Sequence, residues 1–337
     1  MVRARNSHRN RILISYGCDM ASRTSDALQS PGGLPGVSVV IPTHNRRDKL
    51  RRLLLSLADG HTLPDQIVVV ADWCTDGTQA MCRHEFPAVC LVESNSPLRC
   101  SGARAKGLTH TEREYIFFLD DDNVVDPACL EELVRIISSN ARIGLLGPLM
   151  LNWPDGSGVW CAGGELTAVG VRYRTGRNCV PDPDCEGTLE PCDFLPNAFL
   201  ARREIVAAAA PFDPETFPHN WSEADLGLRV SRAGYEVRVA YRARVWHDSG
   251  YRSHTTRLGL YEIEDQACSR LLFRRRYPEA SGSWALFWLG WFPLTTVYYL
   301  VRFGRALHLA AWSGAYFRGT FRGMWGPLAP PPHLPRG

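Results

Sequence analysis

The sequence predicts an α/β domain: a mostly parallel sheet with helices on both faces. Three observations carry that prediction. From Val37 onward, short β-branched or apolar runs alternate with stretches of helical spacing. The runs are apolar throughout, as strands covered on both faces must be. Acidic residues stand directly after the second and fourth runs, where sheets of this kind open their ligand crevice.

Residues 1–36, rich in Arg, Ser and Gly and ending in SPGGLPG, read as a disordered leader. VSVVIP then forms the first strand, broken by Pro42. DKLRRLLLSLADG follows as a helix, with Leu50, Leu53, Leu54 and Leu57 on one face. QIVVVAD is the second strand, DGTQAMCRHE a helix, AVCLVES a strand, ARAKGLTHT a helix and YIFFLD a strand. The first half of the domain is set at 37–145. The second half, 146–255, mixes short strands with Pro/Gly loops, and the 37–255 unit is completed by the helix NWSEADLGLRVSRAG and the strand EVRVAYRARVWH. From 256 to 337 the chain turns helical, and no internal repeat is present.

A net charge of +3 gives no footprint for nucleic acid. Eleven cysteines without a CxxC pair, and no secretory leader pattern, point to reduced thiols in the cytoplasm. Cys179, Cys185 and Cys192 are too widely spaced for a zinc site.

The feature that needs explaining is Asp120, Asp121 and Asp122, three adjacent carboxylates at the end of a buried strand. Their mutual repulsion calls for positive charge nearby. A divalent cation carrying a diphosphate would supply it, since Mg²⁺ takes one or two carboxylates plus substrate phosphates. A solvated acidic turn capping the following helix, DPACLEEL, accounts for the triplet as well.

VSVVIPTHNR, QIVVVADWCTDGT, SGARAKGL, YIFFLDDDNVV, NWSEADLGLRVSRAGYEV and VWHDSG resemble, in order and spacing, the family 2 glycosyltransferases of GT-A fold, over residues 37–250. The resemblance implies a nucleotide-diphospho-sugar donor, a divalent metal (Mg²⁺ or Mn²⁺) and an acceptor alcohol. It makes 37–145 the nucleotide-sugar half and 146–255 the acceptor half. It places Pro42, Thr43, Asn45, Asp72, Arg104 and Asp121 at the donor and Asp120, Asp122 and His247 at the metal. Ala71 stands where the family commonly has a further acid, and Asp76 and Thr78 match the turn that starts the next helix. In SEADLGLR, Ser222 replaces the first acid of the family pattern. Glu223 takes the place of the catalytic base, and Asp225 keeps the third position as a second catalytic candidate. The implied chemistry is inverting transfer of a sugar to an acceptor hydroxyl of a lipid-linked saccharide, a surface polysaccharide or a secondary metabolite. Nucleotidyl transfer is a competing class, although IPTHNRRDK is no glycine-rich phosphate loop. Non-catalytic binding of a sugar nucleotide is a third.

WALFWLGWFPLTTVYYLV, residues 284–301, carries no charge and is flanked by arginines. Its length is marginal for a span, which needs about 20 residues. Its Trp and Tyr content suits the interface, so a peripheral position at the cytoplasmic face of a membrane is the expectation, with a spanning or re-entrant segment and a packed soluble helix as the alternatives.

Overall fold

A computed structural model describes residues 36–154, 156, 158–168, 170–176, 189–208, 212–248, 260–303 and 309–328. The expected leader (apart from Gly36), Cys179 and Cys185 lie outside the described residues. The first half follows the predicted alternation: strands β1 (Val37–Thr43), β2 (Gln66–Asp72), β3 (Cys90–Ser94) and β4 (Tyr115–Leu119), with helices α1 (Arg47–Ala58), α2 (Thr78–Glu85) and α3 (Arg99–Leu108) between them. The short β5 (Asn123–Val125) and helix α4 (Cys129–Ser139) close this half. Then come β6 (Ile143–Asn152), β7 (Val159–Cys161), β8 (Gly164–Thr167), β9 (Gly170–Tyr173), β10 (Leu189–Pro191) and β11 (Ala198–Arg202). Helices α5 (Arg203–Ala208) and α6 (Ser222–Arg232) lead into the long β12 (Glu236–His247).

The main sheet runs β10-β12-β6-β11-β4-β1-β2-β3, with β5 against β12 and β7 against β6; β8 and β9 form a separate hairpin. The strands β3, β2, β1 and β4 are parallel, as expected. Beyond β4 the sheet is mixed: β6 and β12 are parallel, but β11 is antiparallel to both β4 and β6, and β10 and β5 are antiparallel to β12. The stretch from β6 to β11 carries the short strands β7–β10 and, among the described residues, no crossover helix of the kind that usually joins parallel neighbours. β2 and β4 flank β1 on opposite sides, so the sheet's switch point lies beyond Thr43 and Asp120.

Burial on both faces explains the unbroken apolar runs. Val39 and Ile41 pack with Leu50, Leu53, Leu130 and Leu133 of α1 and α4. Val40 and Val70 pack on the other face with Ala103 and Leu108 of α3 and Leu226 of α6. Helix α3 lies close because Gly107 has no side chain; a Cβ there would stand 2.5 Å from a Val40 methyl.

The C-terminal helices are α7 (Leu260–Arg276), a run that begins at Trp284–Leu286 and passes through π-wound Phe287–Trp291 into α8 (Phe292–Phe303), and α9 (Leu309–Trp325). Among the described residues no helix is long and apolar enough to cross a membrane.

Candidate active site

The site is assembled at the switch point from four strand ends. β1 delivers Pro42 and Thr43. A turn follows in which Asn45 adopts a left-handed backbone (φ 52°), a conformation asparagine tolerates better than most residues. That turn brings Arg46 round to face the aspartates. Asn45 itself does not line the cleft, contrary to expectation. Its side-chain oxygen accepts from the Thr75 N–H at 2.7 Å and so ties the β1 turn to the β2 turn. Asp76 reinforces the tie, accepting from the Arg47 N–H at 2.8 Å and the Thr78 N–H at 3.1 Å.

Each carboxylate of the triplet faces a cation, and Arg46 serves two of them. Arg104 Nη2 donates to Asp120 at 2.6 Å. Arg46 Nη1 donates to both Asp121 and Asp122 at 3.1 Å, and Thr43 Oγ1 donates to Asp121 at 2.7 Å. Lys49 Nζ stands 3.9 Å from Asp122, and His247 Nε2 is 3.3 Å from its Oδ1. Burial pushes Asp121 up to about 6, against the pull of Arg46. Burial likewise raises Asp120 despite Arg104. For Asp122 burial is outweighed by His247, Arg46 and Lys49, which hold its carboxyl below the usual range. Arg46 had no place in the sequence reading. Its signal was the pair of arginines directly after the first strand's turn, opposite three acids across the switch point.

β12 is stitched to the acid turn. His247 pairs in register with Asn123 and Asn152, and the Asp248 N–H donates to the Asp122 carbonyl at 2.9 Å. The buried imidazole lies against Trp160, ring centroids 4.1 Å apart, with Asn197 Nδ2 at 2.9 Å from Nε2. Among the described residues no three His, Cys, Asp or Glu side chains form a ready metal cluster. A pair is there, however: the buried Asp122 Oδ1 makes no hydrogen bond and faces His247 Nε2. An oxygen and an imidazole nitrogen so placed fit a divalent cation whose other ligands are diphosphate oxygens and water, provided the Asn197 amide gives up its contact with Nε2. Asp120, expected in the same set, is instead turned onto Arg104.

Arg104 corrects a second expectation. It does not face a nucleotide; it is fully buried, and its guanidinium bridges Asp120 and Glu223. Glu223 stands in the first turn of α6, accepting from Arg104 Nη1 and from Ser222 Oγ at 2.8 Å. Burial opposes its ionisation, but Arg104 prevails and holds the carboxyl below the ordinary glutamate range. Asp225, two residues on, points elsewhere, as helical geometry requires. Its carboxylate is wholly buried among Arg229 (2.9 Å), Arg276 (3.2 Å) and Tyr277 Oη (2.7 Å). The second catalytic candidate is therefore a structural hub joining α6 to α7.

A cleft of about 290 Å³ opens beside the triplet, lined by Pro42, Thr43, His44, Arg46, Asp72, Trp73, Arg99, Asp120, Asp121 and Tyr261 among others. Asp72 reaches it with both oxygens engaged, accepting from the N–H groups of Leu98 (2.7 Å) and Arg99 (3.0 Å) at the start of α3. Trp73 is half exposed at the rim, and Tyr261 of α7 closes the other side with Arg99 stacked 3.9 Å over its ring. His44, Trp73 and Tyr261 carry no charge pattern or periodicity that singles them out in the sequence.

Comparison with known proteins agrees with this fold. Residues 38–152 match the sequence family described as Glycosyl transferase family 2. The O-antigen biosynthesis protein RfbC of Myxococcus xanthus is 26% identical over 225 residues, 64% of this chain. The match spans only 17% of that relative's length. The mannosyltransferase PcManGT of Pyrobaculum calidifontis, solved with GDP-Man and Mn²⁺, superposes with a TM-score of 0.53 at 14% identity, covering 95% of this chain and 96% of its own. GalNAc-T7, solved with UDP, GalNAc and Mn²⁺, gives a TM-score of 0.52 at 16% identity, covering 65% of this chain and 44% of its own. At these identities the structural likeness is one of fold.

Proposed function

We propose that this chain, with a family 2 glycosyl transferase segment on a GT-A-like fold, is a metal-dependent inverting glycosyltransferase. It would move a sugar from a nucleotide-diphosphate donor to an acceptor hydroxyl. The observation that carries the proposal is the bridge made by Arg104. One buried guanidinium holds the candidate base, Glu223, and the first aspartate of the triplet, Asp120. The group that receives a proton and the place where a diphosphate departs are thereby fixed relative to each other.

The cleft side chains have distinct tasks. Trp73, His44 and Asp72 border the space for the nucleotide, and Arg46, nearly half exposed, offers its charge to the diphosphate. Asp122 and His247 would hold a divalent cation, the Mn²⁺ of both structural neighbours being one such ion. When bound, that ion supplies positive charge that stabilises the leaving diphosphate. Glu223, kept ionised by Arg104, accepts the acceptor's proton as the acceptor oxygen bonds to the anomeric carbon. The bond from that carbon to the diphosphate oxygen breaks on the opposite face, so the configuration inverts without a covalent enzyme intermediate. The relative named for O-antigen biosynthesis supports a growing saccharide of a surface polysaccharide as acceptor, in preference to a secondary metabolite.

The test is a panel of nucleotide sugars with Mn²⁺ and saccharide acceptors, following nucleoside diphosphate release and the anomeric configuration of the product by NMR. Inverted product from one donor is expected. Retained configuration, or release of pyrophosphate, would reject the mechanism.

A further inference from the structure

The described chain has ten large hydrophobic side chains that are prominently exposed, and seven of them lie on the helices between 284 and 325. Leu286 is 62% exposed, Leu289 84% and Leu294 71% along the run into α8; Phe317 (59%), Phe321 (67%) and Trp325 (68%) recur every fourth residue along α9. Such spacing makes a continuous helical stripe. The opposite sides of the same helices are docked. Phe287 is fully buried, with Arg274 stacked 4.6 Å and Arg270 5.2 Å from its ring. Arg274 also donates to the carbonyls of Gly282 and Ser283, both at 3.1 Å, which anchors the run to α7. Helices α8 and α9 meet through Tyr316, which lies 3.1 Å from Thr296 Oγ1. Arg270 and Arg274 of α7 thus reach inward to the run while its apolar side chains face out, and the exposed Arg318 and Arg322 of α9 flank that stripe, sharing Glu264 of α7. Patches of this kind mark an interaction site.

The charge of the segment identifies what covers it. Residues 280–337 contain five arginines and no Asp, Glu or Lys, a net +5 within a chain of +3. Five of the chain's ten tryptophans also fall there. Pairing with a second copy would bring two such basic segments together, because a two-fold contact opposes like with like. An anionic bilayer surface instead attracts the arginines, accepts the leucine and phenylalanine side chains and favours tryptophan at its interface. We propose that α8, α9 and the run preceding α8 form a monotopic face that seats the protein on an anionic lipid surface without crossing it. This inference is independent of the catalytic reading and needs no turnover to test.

The full chain is floated with neutral phosphatidylcholine vesicles and with vesicles containing phosphatidylglycerol, at low and high salt. Binding to the anionic vesicles, weakened by salt and at least several-fold stronger than to neutral ones, is expected. Tryptophan fluorescence of the unaltered protein should be quenched by brominated lipids. The combined Leu289→Asp, Leu294→Asp and Phe321→Asp variant should lose roughly tenfold or more in vesicle affinity, since each side chain forfeits its transfer into the lipid. Circular dichroism reports whether it folds; if it does not, the lipid quenching of the unaltered chain decides. Absence of vesicle binding and quenching overturns the proposal. So does a concentration-dependent dimer in vesicle-free buffer that the same substitutions abolish, which would make this face a subunit contact.

Discussion

Replacing Asp225 by alanine removes the carboxylate around which Arg229, Arg276 and Tyr277 are packed. Asp225 is 0% exposed, and the Arg229 and Arg276 side chains are 4% and 1% exposed, so water cannot readily replace it. Breaking a buried ion pair from one side costs about 3–5 kcal/mol, because the partner charges stay buried. Arg276 keeps Asp213 at 2.7 Å and Thr216 at 2.8 Å, which argues for the lower end, about 3 kcal/mol. At roughly 2–4 °C per kcal/mol, thermal unfolding should begin about 6–12 °C earlier. The assay pairs urea and thermal unfolding with turnover per folded molecule, measured well below the transition. The expected outcome is a large loss of stability with nearly unchanged turnover. Intact stability with abolished transfer would refute the assignment and make Asp225 the base.

Asp122→Asn keeps the shape of the side chain and removes its charge. Mn²⁺ binding, followed by electron paramagnetic resonance, should weaken by at least the roughly 10–100-fold that even outer ligand-orienting losses cost. Unchanged affinity would place the metal elsewhere. Asp121, whose carboxyl is pushed up to about 6 from 3.8, gives a pH signature. Between those values the folded state binds more protons than the unfolded one, so this group makes the metal-free protein less stable as pH rises from about 4 to 6. Asp121→Asn should flatten that slope, by at most about 3 kcal/mol across the window, in denaturation measured at several pH values. An unaltered slope would show that Asp121 is ionised throughout.

Much of the first half of the fold was legible because its physics is local. The apolar strands, the Leu50–Leu53–Leu54–Leu57 helix face and the strand-end acids each state their role within a few residues. The reversal at β11 was not legible, because CDFLPNAFLARRE carries no mark of strand direction; direction shows only in the pairing with β4 and β6. The acid triplet announced a need for positive charge, for which the sequence suggested a metal or the start of the following helix. Arg46, Lys49 and Arg104 meet much of it, from loops and helices whose approach only the assembled sheet determines. Glu223 and Asp225 were indistinguishable as letters two apart. Burial and the arrival of Arg276 and Tyr277 at the end of α7, some fifty residues later in the chain, separate them.

Glu223→Gln tests the central claim most directly, since it preserves size and the capacity to accept from Arg104 while abolishing the base. Donor and Mn²⁺ binding are measured by calorimetry, and sugar transfer by single-turnover kinetics on the same preparation. The account predicts donor affinity within a few-fold of the unaltered enzyme and transfer slower by about 10²–10⁴. Transfer at the normal rate in the presence of intact donor binding would contradict it, and Glu223 would then be a partner that positions Arg104 and nothing more.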